Sequence, residues 1–393
     1  MLNSNRLSRQ DYALILLLFL TELTRSAFFL TFWPLYAVNF LNFSVMNAGV
    51  VLSAHYFTET LFKAAAGCQL DRRGKPVLLM GLSLSLLSLL GIYHQQANWV
   101  ILVLAGLFGL GFAPVWLAVI STVAPTDHPN RAARMGVVFS AWLLGAGAGP
   151  VGINFVISAG FRPAFQLLIV FWALCLVIGL LIPLRAKTGC IRISLPDQFK
   201  RLATDPMVIK ILLPGMFLQT LAASLLLPIL PLYATGILGL TSRQYGLLLT
   251  AGGAATVLFL VPMGKLVDRL PLKKVLTAGF LLSALFLSLF PLTRELPVII
   301  TLVILVGLSY AIVLPAWNSL LARVIPAEHQ ATGWGIFTTL EGLGIATGPM
   351  LGGVISGWLH PVGAIYLSAF ILAGMGFFYF FYPFDQTLLN QGR

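Results

Sequence analysis

Long apolar stretches, each about the length of a membrane-crossing helix, follow one another along almost the whole chain. A helical span needs about 20 mostly apolar residues, because a rise of roughly 1.5 Å per residue must cover a hydrocarbon core about 30 Å thick. Twelve stretches meet this requirement, near residues 12–38, 46–66, 77–93, 98–122, 134–157, 165–184, 207–234, 244–266, 273–292, 297–322, 333–356 and 361–382. The pattern predicts an all-α membrane protein with 12 transmembrane helices.

Five ionisable side chains interrupt these apolar stretches: Glu22, Arg25, Glu59, Lys63 and Glu341. Such groups are costly in hydrocarbon, so an ionisable residue within a span indicates a transport path by default. Glu22 and Arg25 are spaced i, i+3, and Glu59 and Lys63 are spaced i, i+4, so each pair shares a helix face. The polar chemistry is therefore concentrated in the first two spans.

Composition and charge agree with a membrane location. The 393 residues are 59% hydrophobic and 9% charged, with a mean hydropathy of +0.94, which excludes a soluble globular protein. Nineteen of the 24 lysines and arginines fall on one side of the predicted spans, and only Arg162, Arg243 and Arg294 fall on the other. This asymmetry places both termini in the cytoplasm. The net charge of +12 thus signals orientation, with some contact to anionic lipids, and indicates no nucleic-acid partner.

Catalytic and metal-binding patterns are not evident in the sequence. Cys68, Cys175 and Cys190 lack metal-ligand spacing and fall in spans or on the cytoplasmic side, so we expect no metal site and no disulfide. No nucleophile or phosphate-loop spacing is present, so we expect no enzyme and no bound cofactor.

Four short motifs occur twice, in the same order and about 200 residues apart. They are Pro34-Leu35-Tyr36-Ala37 with Pro231-Leu232-Tyr233-Ala234, Gly67-x-x-x-Asp71-Arg72 with Gly264-x-x-x-Asp268-Arg269, Pro114-x-Trp116 with Pro315-x-Trp317, and Gly136, Gly145, Gly149-Pro150 with Gly335, Gly344, Gly348-Pro349. Six spans lie between the copies, which predicts two parallel repeats. The expected organisation is an N-terminal six-helix bundle at 1–184, a cytoplasmic linker at 185–206 and a C-terminal six-helix bundle at 207–393.

The loop segment Gly67-Cys68-Gln69-Leu70-Asp71-Arg72-Arg73-Gly74-Lys75 resembles the motif between helices 2 and 3 of the major facilitator superfamily. The resemblance covers essentially the whole chain and implies the major facilitator fold. It also implies a gating role for Asp71, Arg72 and Arg73 as a charge latch. A role in fixing membrane orientation explains the basic residues of this loop about equally well, but it does not explain the second copy of Gly-x-x-x-Asp-Arg.

Gly149 and Pro150 end a glycine pattern in the fifth span that resembles a motif of proton-coupled exporters. Small residues at this spacing let helices pack closely, and proline loosens a helix where it bends. A gating hinge and simple close packing therefore remain alternatives.

His55, Glu59 and Lys63 form one polar stripe on the second span, at i, i+4 and i+8. We expect this stripe to pair with Glu22 and Arg25 across the contact of the first two helices, leaving a groove for water or a sugar. Glu22 and Glu59 are the candidate proton carriers, with Arg25 and Lys63 as their basic partners. The alternatives are a purely structural salt-bridge network and, for His55, a packing role in place of a proton relay.

Trp116 and Trp142 fall in the middle of spans, away from the interfaces where tryptophan usually collects. An indole in a cavity offers a flat face and one N–H donor to a sugar ring. Ordinary core filling is the competing account for each tryptophan.

The second half lacks the charges of the first. In the repeat, Glu22 and Arg25 correspond to Gln219 and Ala222, and His55 and Glu59 correspond to Gly252 and Thr256. We therefore expect a cavity with one polar and one apolar wall, which suits an amphiphile with a sugar head and acyl tails.

Longer stretches resemble the glycolipid flippases of lipoteichoic-acid synthesis. They are Glu22-Leu-Thr-Arg25, Ala54-His55-Tyr56-Phe57-Thr58-Glu59, Pro114-Val-Trp116, Trp142-Leu143-Leu144-Gly145, Leu227 to Thr235, Leu314 to Asn318 and Thr332 to Phe337. The resemblance implies that Glu22, Arg25, Glu59, Trp116 and Trp142 form a headgroup pocket and proton path. The chain departs from the family in having Glu59 in place of Asp and Asp71 in place of Lys, and Glu341 has no place in the pattern.

The sequence as a whole predicts an alternating-access, proton-coupled antiporter or flippase. Its expected cargo is a glycolipid, similar to a diglucosyl-diacylglycerol anchor, moved from the inner to the outer leaflet of a bacterial cytoplasmic membrane. The expected partners are this cargo, protons and membrane lipids, and the expected state is a monomer. A proton-coupled multidrug exporter of lipophilic compounds is the alternative within transporters, and a scaffold or receptor with a vestigial transporter fold is the alternative outside them.

Overall fold

The computed structural model describes residues 7–125, 130–186, 213–267, 269–324 and 330–382, without the side chains of 131–133, 213, 321–324 and 330–338. Several predicted features lie outside this description. They are most of the linker 185–206, Asp268 of the second loop motif, and the side chains of the stretch from Thr332 to Phe337.

The chain divides into two compact units. The first comprises Met1–Arg192 with Thr241–Gly246, and the second comprises Ile193–Leu240 with Leu247–Arg393. The described residues of each unit are helical, and every span follows the preceding one after a short connection.

The first unit contains six helices. They are α1 (Arg9–Asn39), α2 (Val45–Arg73), α3 (Lys75–His94), α4 (Asn98–Val123), α5 (Arg131–Ile157) and α6 (Phe161–Leu181). α1 begins at a capping box, in which the Ser8 hydroxyl accepts from the Asp11 N–H and the Asp11 carboxylate accepts from the Ser8 N–H. α1 packs against α4, α5 and α6, while α4 also packs against α2 and α3. α1 and α4 are therefore the central helices of this unit.

The remaining helices among the described residues belong to the second unit, except for residues 242–246 at the start of the second of these helices, which belong to the first unit. They are α7 (Leu213–Leu225, continued by Ile229–Leu232 and Tyr233–Ile237), α8 (Ser242–Val267), α9 (Leu272–Leu289), α10 (Leu296–Val324), and α11 and α12 within Gln330–Phe381. Non-helical backbone at Leu359 and His360 separates α11 from α12. Trp317 and Tyr379 lie at the centre of an apolar core built from α7, α9, α10 and α12.

Ten helices in the described residues are long and apolar enough to cross a membrane. α2 is a continuous helix of 29 residues but is not among the ten, because its polar stripe lowers its hydropathy. One of the ten, Thr339–Phe381, includes the break between α11 and α12. The chain is a multi-pass membrane protein, as predicted, and the count of 12 spans stays a prediction.

One pair of contacts recurs in the two units. In the first, Gly145 of α5 packs against α1, and the Ser26 hydroxyl donates to the Gly145 carbonyl over 3.2 Å. In the second, Gly344 packs against α7, and the Ser224 hydroxyl donates to the Gly344 carbonyl over 2.9 Å. A Cβ atom at Gly149 or Gly348 would collide with the facing helix. The glycine motif therefore serves close packing, and its role as a hinge stays a prediction.

These contacts correct the predicted register of the repeat. Gly145 faces the Glu22 side chain, whereas Gly344 faces Thr220, so Glu22 corresponds to Thr220 and not to Gln219. By the same register Arg25 corresponds to Ala223, one residue beyond the predicted Ala222. The conclusion that the second half lacks these charges is unchanged.

The physical reason is a difference in helix winding after the serine. α1 contains a π-helical turn at Ala27–Phe32, and at the end of this turn the Trp33 N–H donates to the Phe28 carbonyl. After Ser224, the serine of α7 that matches Ser26, the helix is wound more tightly, because the Leu227 N–H donates to the Ser224 carbonyl only three residues before it. A π-turn holds more residues than an α-turn, so α1 accommodates one extra residue before its Pro-Leu-Tyr-Ala stretch.

The loop between α2 and α3 packs against the chain that leaves α6. Gly74 ends α2 with φ +64°, and the Lys75 N–H donates to the Leu184 carbonyl over 3.2 Å. A Cβ atom at Gly74 would lie 2.8 Å from the Ala186 nitrogen.

The expectation of no disulfide is wrong, since Cys68 on α2 is disulfide-bonded while Cys175 is free. Sequence spacing alone does not show which distant segment folds against this end of α2, so it could not predict the bond.

Gly74→Ala should lower the thermal stability of the purified protein more than Gly239→Ala. Both glycines have a positive φ, +64° and +66°, so alanine is disfavoured by the backbone at each position. Only Gly74 has neighbouring atoms within 4 Å, and overpacking there should add about 1–3 kcal/mol. Thermal unfolding in detergent measures both variants. Equal losses would show that the contact with residues 184–186 contributes nothing to stability.

Candidate functional site

The site begins on α1 with a buried ion pair. Arg25 lies one turn after Glu22, and its Nη2 is 2.7 Å and its Nε 3.1 Å from Glu22 Oε2. The Glu22 side chain is 2% exposed and the Arg25 side chain 10%. Two hydrogen bonds to a charged group compensate part of the cost of burying these charges.

α2 extends this pair into a chain of four charges. Arg25 Nη1 is 3.7 Å from Glu59 Oε2, and Lys63 Nζ is 3.2 Å from Glu59 Oε1. The predicted pairing of the α2 stripe with α1 is thus present. Side-chain exposure increases along the chain, from 2% at Glu22 through 12% at Glu59 to 38% at Lys63. The formal charges of the two acids and the two bases cancel. Among these four side chains, only Lys63 reaches open surface.

His55 lies beside this chain in a shell of aromatic rings. Its ring stacks on Phe29 with centroids 3.9 Å apart and is fully buried. Phe108, Phe112 and Tyr56 surround it on other sides. Its Nε2 is 3.8 Å from Glu59 Oε2, which is beyond hydrogen-bond length. His55 therefore packs among rings next to the Glu59 carboxylate, and its contact with cargo stays a prediction.

Two aromatic residues that the sequence did not single out contact Arg25. The guanidinium carbon lies 4.8 Å from the ring centre of Phe112 and 5.5 Å from that of Tyr56. Both distances are within the range of cation–π attraction. Phe112 is on α4, which has no charged side chain, so no charge pattern in the sequence could have revealed it.

Trp116 and Trp142 meet in the same unit. Their ring centres are 6.1 Å apart at 69°, and Phe139 packs against Trp116 at 5.2 Å. Both tryptophans are half-buried, whereas Trp317, which corresponds to Trp116 in the repeat, is 2% exposed in a core. We call Trp116, Phe139 and Trp142 the aromatic corner. Its open ring surface is what a sugar-binding role requires.

The aromatic corner lies about one helical turn from the charges. Trp116 follows Phe112, the ring over Arg25, by four residues on α4. Trp142 precedes Gly145 by three residues on α5, and a Cβ atom at Gly145 would lie 3.0 Å from Glu22 Cβ. One turn of helix corresponds to about 5.4 Å. The ion chain and the aromatic corner are therefore about one helical turn apart on α1, α2, α4 and α5.

The predicted gating residues lie away from this site, at the end of α2. Asp71 is half-buried and Arg72 and Arg73 are exposed. Asp71 has no ion pair among the described residues, so the charge latch stays a prediction. Glu341 is half-buried on α11 in the second unit.

A helical membrane fold with ion-paired charges inside its spans defines a membrane transporter. The model of the Major Facilitator Superfamily matches residues 14–206 and 212–390 of the chain. The chain belongs to the Major Facilitator Superfamily, as the loop motif and the duplication predicted.

Curated relatives cover nearly the whole chain. A protein of Staphylococcus saprophyticus named proton-coupled antiporter flippase LtaA is 29% identical over 399 residues, with 97% of this chain and 96% of the relative covered. Proteins of the same name are 28% identical in Staphylococcus haemolyticus, covering 96% and 95%, and in Staphylococcus aureus, covering 96% of both chains.

Solved structures share the fold at low sequence identity. The nucleoside transporter NupG matches with a TM-score of 0.77 and 14% identity, covering 95% of this chain and all of NupG (100%). A POT family transporter, solved in complex with a thioalcohol conjugated peptide, matches with a TM-score of 0.75 and 15% identity over 97% and 96% of the chains. The likeness shows the fold alone.

Arg25→Met should destabilise the protein by about 3–5 kcal/mol, because it leaves the buried Glu22 carboxylate without its partner. The double variant Arg25→Met with Glu22→Gln should recover most of that loss, since no uncompensated charge then remains. Thermal unfolding of the detergent-solubilised protein at neutral pH compares the three proteins. A double variant no more stable than Arg25→Met would contradict a net electrostatic role for this pair.

Proposed function

We propose that this protein is a proton-coupled antiporter that flips a glycolipid from the inner to the outer leaflet of a bacterial cytoplasmic membrane. The observation that carries the proposal is that the ion chain and the aromatic corner lie about one helical turn apart in one unit. One part offers carboxylates for protons, and the other offers ring faces and N–H donors for a sugar. The names of the staphylococcal relatives support both the coupling ion and the flippase activity.

Glu59 is the proposed site of proton exchange. It lies between Lys63, which reaches open surface, and Arg25, whose Nη1 is 3.7 Å away. In this proposal the deprotonated Glu59 carboxylate accepts hydrogen bonds from hydroxyl groups of the cargo, with Lys63 and the Arg25 Nη1 group beside it as donors. A proton bound to a Glu59 oxygen removes this charged acceptor and weakens cargo binding. Proton and headgroup would in this way compete for one carboxylate, as antiport requires, while Arg25 stays on Glu22 through its other two hydrogen bonds.

The proposed loading side follows from the direction of the helices. With both termini in the cytoplasm, α2 and α4 run inward and α5 runs outward. Lys63 follows Glu59, Trp116 follows Phe112, and Trp142 precedes Gly145. The open side of the site therefore faces the cytoplasm in this proposal, which suits a headgroup taken from the inner leaflet.

The composition of the site favours a sugar headgroup over a lipophilic cation. Arg25 lies within ion-pair distance of both acids, and Lys63 holds the second, so no carboxylate is left to attract a cation. A multidrug exporter of lipophilic compounds is therefore the weaker candidate. The protein works in this proposal as a monomer on the proton gradient, without a cofactor, nucleic acid or chemical conversion of the cargo.

Glu59→Gln and Glu22→Gln should each abolish gradient-driven flipping, because an amide cannot exchange the coupling proton. The assay follows a fluorescent diglucosyl-diacylglycerol between the leaflets of proteoliposomes under an imposed pH gradient. Glu295→Gln, at an exposed acid between α9 and α10, is the matched control and should keep wild-type flux. Wild-type turnover in both site variants would remove these acids from the proton path.

Trp142→Ala should weaken binding of diglucosyl-diacylglycerol roughly tenfold, which corresponds to about 1.4 kcal/mol, while binding of plain diacylglycerol changes little. The reason is the loss of a ring face from the aromatic corner. Thermophoresis in detergent gives both dissociation constants. Trp99→Ala, at a tryptophan 71% exposed, is the control and should bind both lipids normally. Unchanged sugar affinity in Trp142→Ala would leave that side chain a packing role only.

A further inference from the structure

Arg25 is hydrogen-bonded to one acid and lies over two aromatic rings. Its Nε and Nη2 donate to Glu22. Its guanidinium carbon lies 4.8 Å from the centre of the Phe112 ring and 5.5 Å from that of the Tyr56 ring. These hydrogen bonds and the attraction to the rings together restrict the movement of the guanidinium.

Phe112 is itself held firmly. It is 1% exposed, and Phe108 and Trp172 pack against it. The preceding residue, Gly111, is pressed against α3, where its Cβ position would lie 2.5 Å from the Gly81 carbonyl oxygen. α4 therefore cannot withdraw, and the ring is a rigid surface beneath Arg25.

The held orientation leaves an asymmetry between the two acids. Glu22 receives two hydrogen bonds from Arg25, whereas Glu59 lies 3.7 Å from Nη1 and receives none from it. The other ionisable groups near Glu59 are Lys63, His55 and Tyr56 on its own helix. α4 adds no charged side chain.

We propose that Phe112 is a positioning residue that keeps Arg25 on Glu22 and prevents it from closing fully on Glu59. The inference rests on the proposed proton coupling, because it assigns to Phe112 the task of keeping Glu59 able to take up a proton. Without the ring, Arg25 is free to donate to the Glu59 carboxylate. A closer cation favours the charged carboxylate, so proton uptake then requires a lower pH.

Infrared titration of the carboxyl band in cargo-free proteoliposomes tests this inference, with Glu59→Gln assigning the band. Phe112→Leu should move the midpoint of the Glu59 band to lower pH by roughly half to one unit. Phe112→Tyr, which keeps a ring, should restore the wild-type midpoint. Phe165→Leu is the matched control, since Phe165 is equally buried in the same unit. Its ring packs against Phe28, Phe32 and Tyr93, and not against Arg25 or Phe112.

An unchanged midpoint in Phe112→Leu, or an equal shift in Phe165→Leu, would overturn the inference. If Phe112→Leu does not fold, a ring-fluorinated phenylalanine at position 112 replaces it, because fluorination weakens cation–π attraction and largely keeps the shape. Flux assays should show the same variant with reduced kcat and little change in KM for the glycolipid. Wild-type protein that titrates at Glu59 but moves no glycolipid would refute the proposed cargo and leave the role of Phe112 standing.

Discussion

Charge buried in apolar surroundings must be compensated where it lies, and Arg25 meets that requirement for the first unit. Its guanidinium contacts acids from two helices and a ring from a third. Each of these contacts is individually modest, but none of the acids can stay ionised in such surroundings alone. The arrangement of α1, α2 and α4 around one cation therefore determines where the polar part of the site lies and which side chains it includes.

Close helix packing brings the apolar part of the site to the same place. Gly145 allows α5 to approach α1 at the level of Glu22, and this approach carries Trp142 toward Trp116 on α4. The same glycine contact in the second unit brings Gly344 to Thr220 in place of Glu22, and Glu341 stands where the first unit has Trp142. The repeated scaffold is thus a packing device, and the chemistry depends on which side chains each copy carries.

Sequence patterns predicted the elements of the site whose spacing is regular. His55, Glu59 and Lys63 share a face because i+4 spacing demands it, and pairing with Glu22 and Arg25 followed from the lack of other charges nearby. The rings around His55 and Arg25 were not foreseen, because 28 phenylalanines in an apolar chain carry no positional signal. The correspondence of Glu22 with Thr220, and not with Gln219, was missed for another reason. The predicted offset between the repeats rests on the Pro-Leu-Tyr-Ala motif, and one copy has an extra residue between that motif and the charged residues.

That extra residue, accommodated by the π-helical turn at Ala27–Phe32, has a geometric consequence. Successive residues of an α-helix are rotated by about 100° around its axis. In an unbroken α-helix one extra residue would turn the segment of Glu22 and Arg25 by that angle relative to the Pro-Leu-Tyr-Ala stretch, and the π-helical turn takes up the residue within Ala27–Phe32 instead. Ser26 therefore keeps the glycine contact that Ser224 makes in the repeat, and Glu22 keeps the place of Thr220 beside the facing glycine. A change in chain length, and not only in side-chain identity, separates the two halves of this transporter.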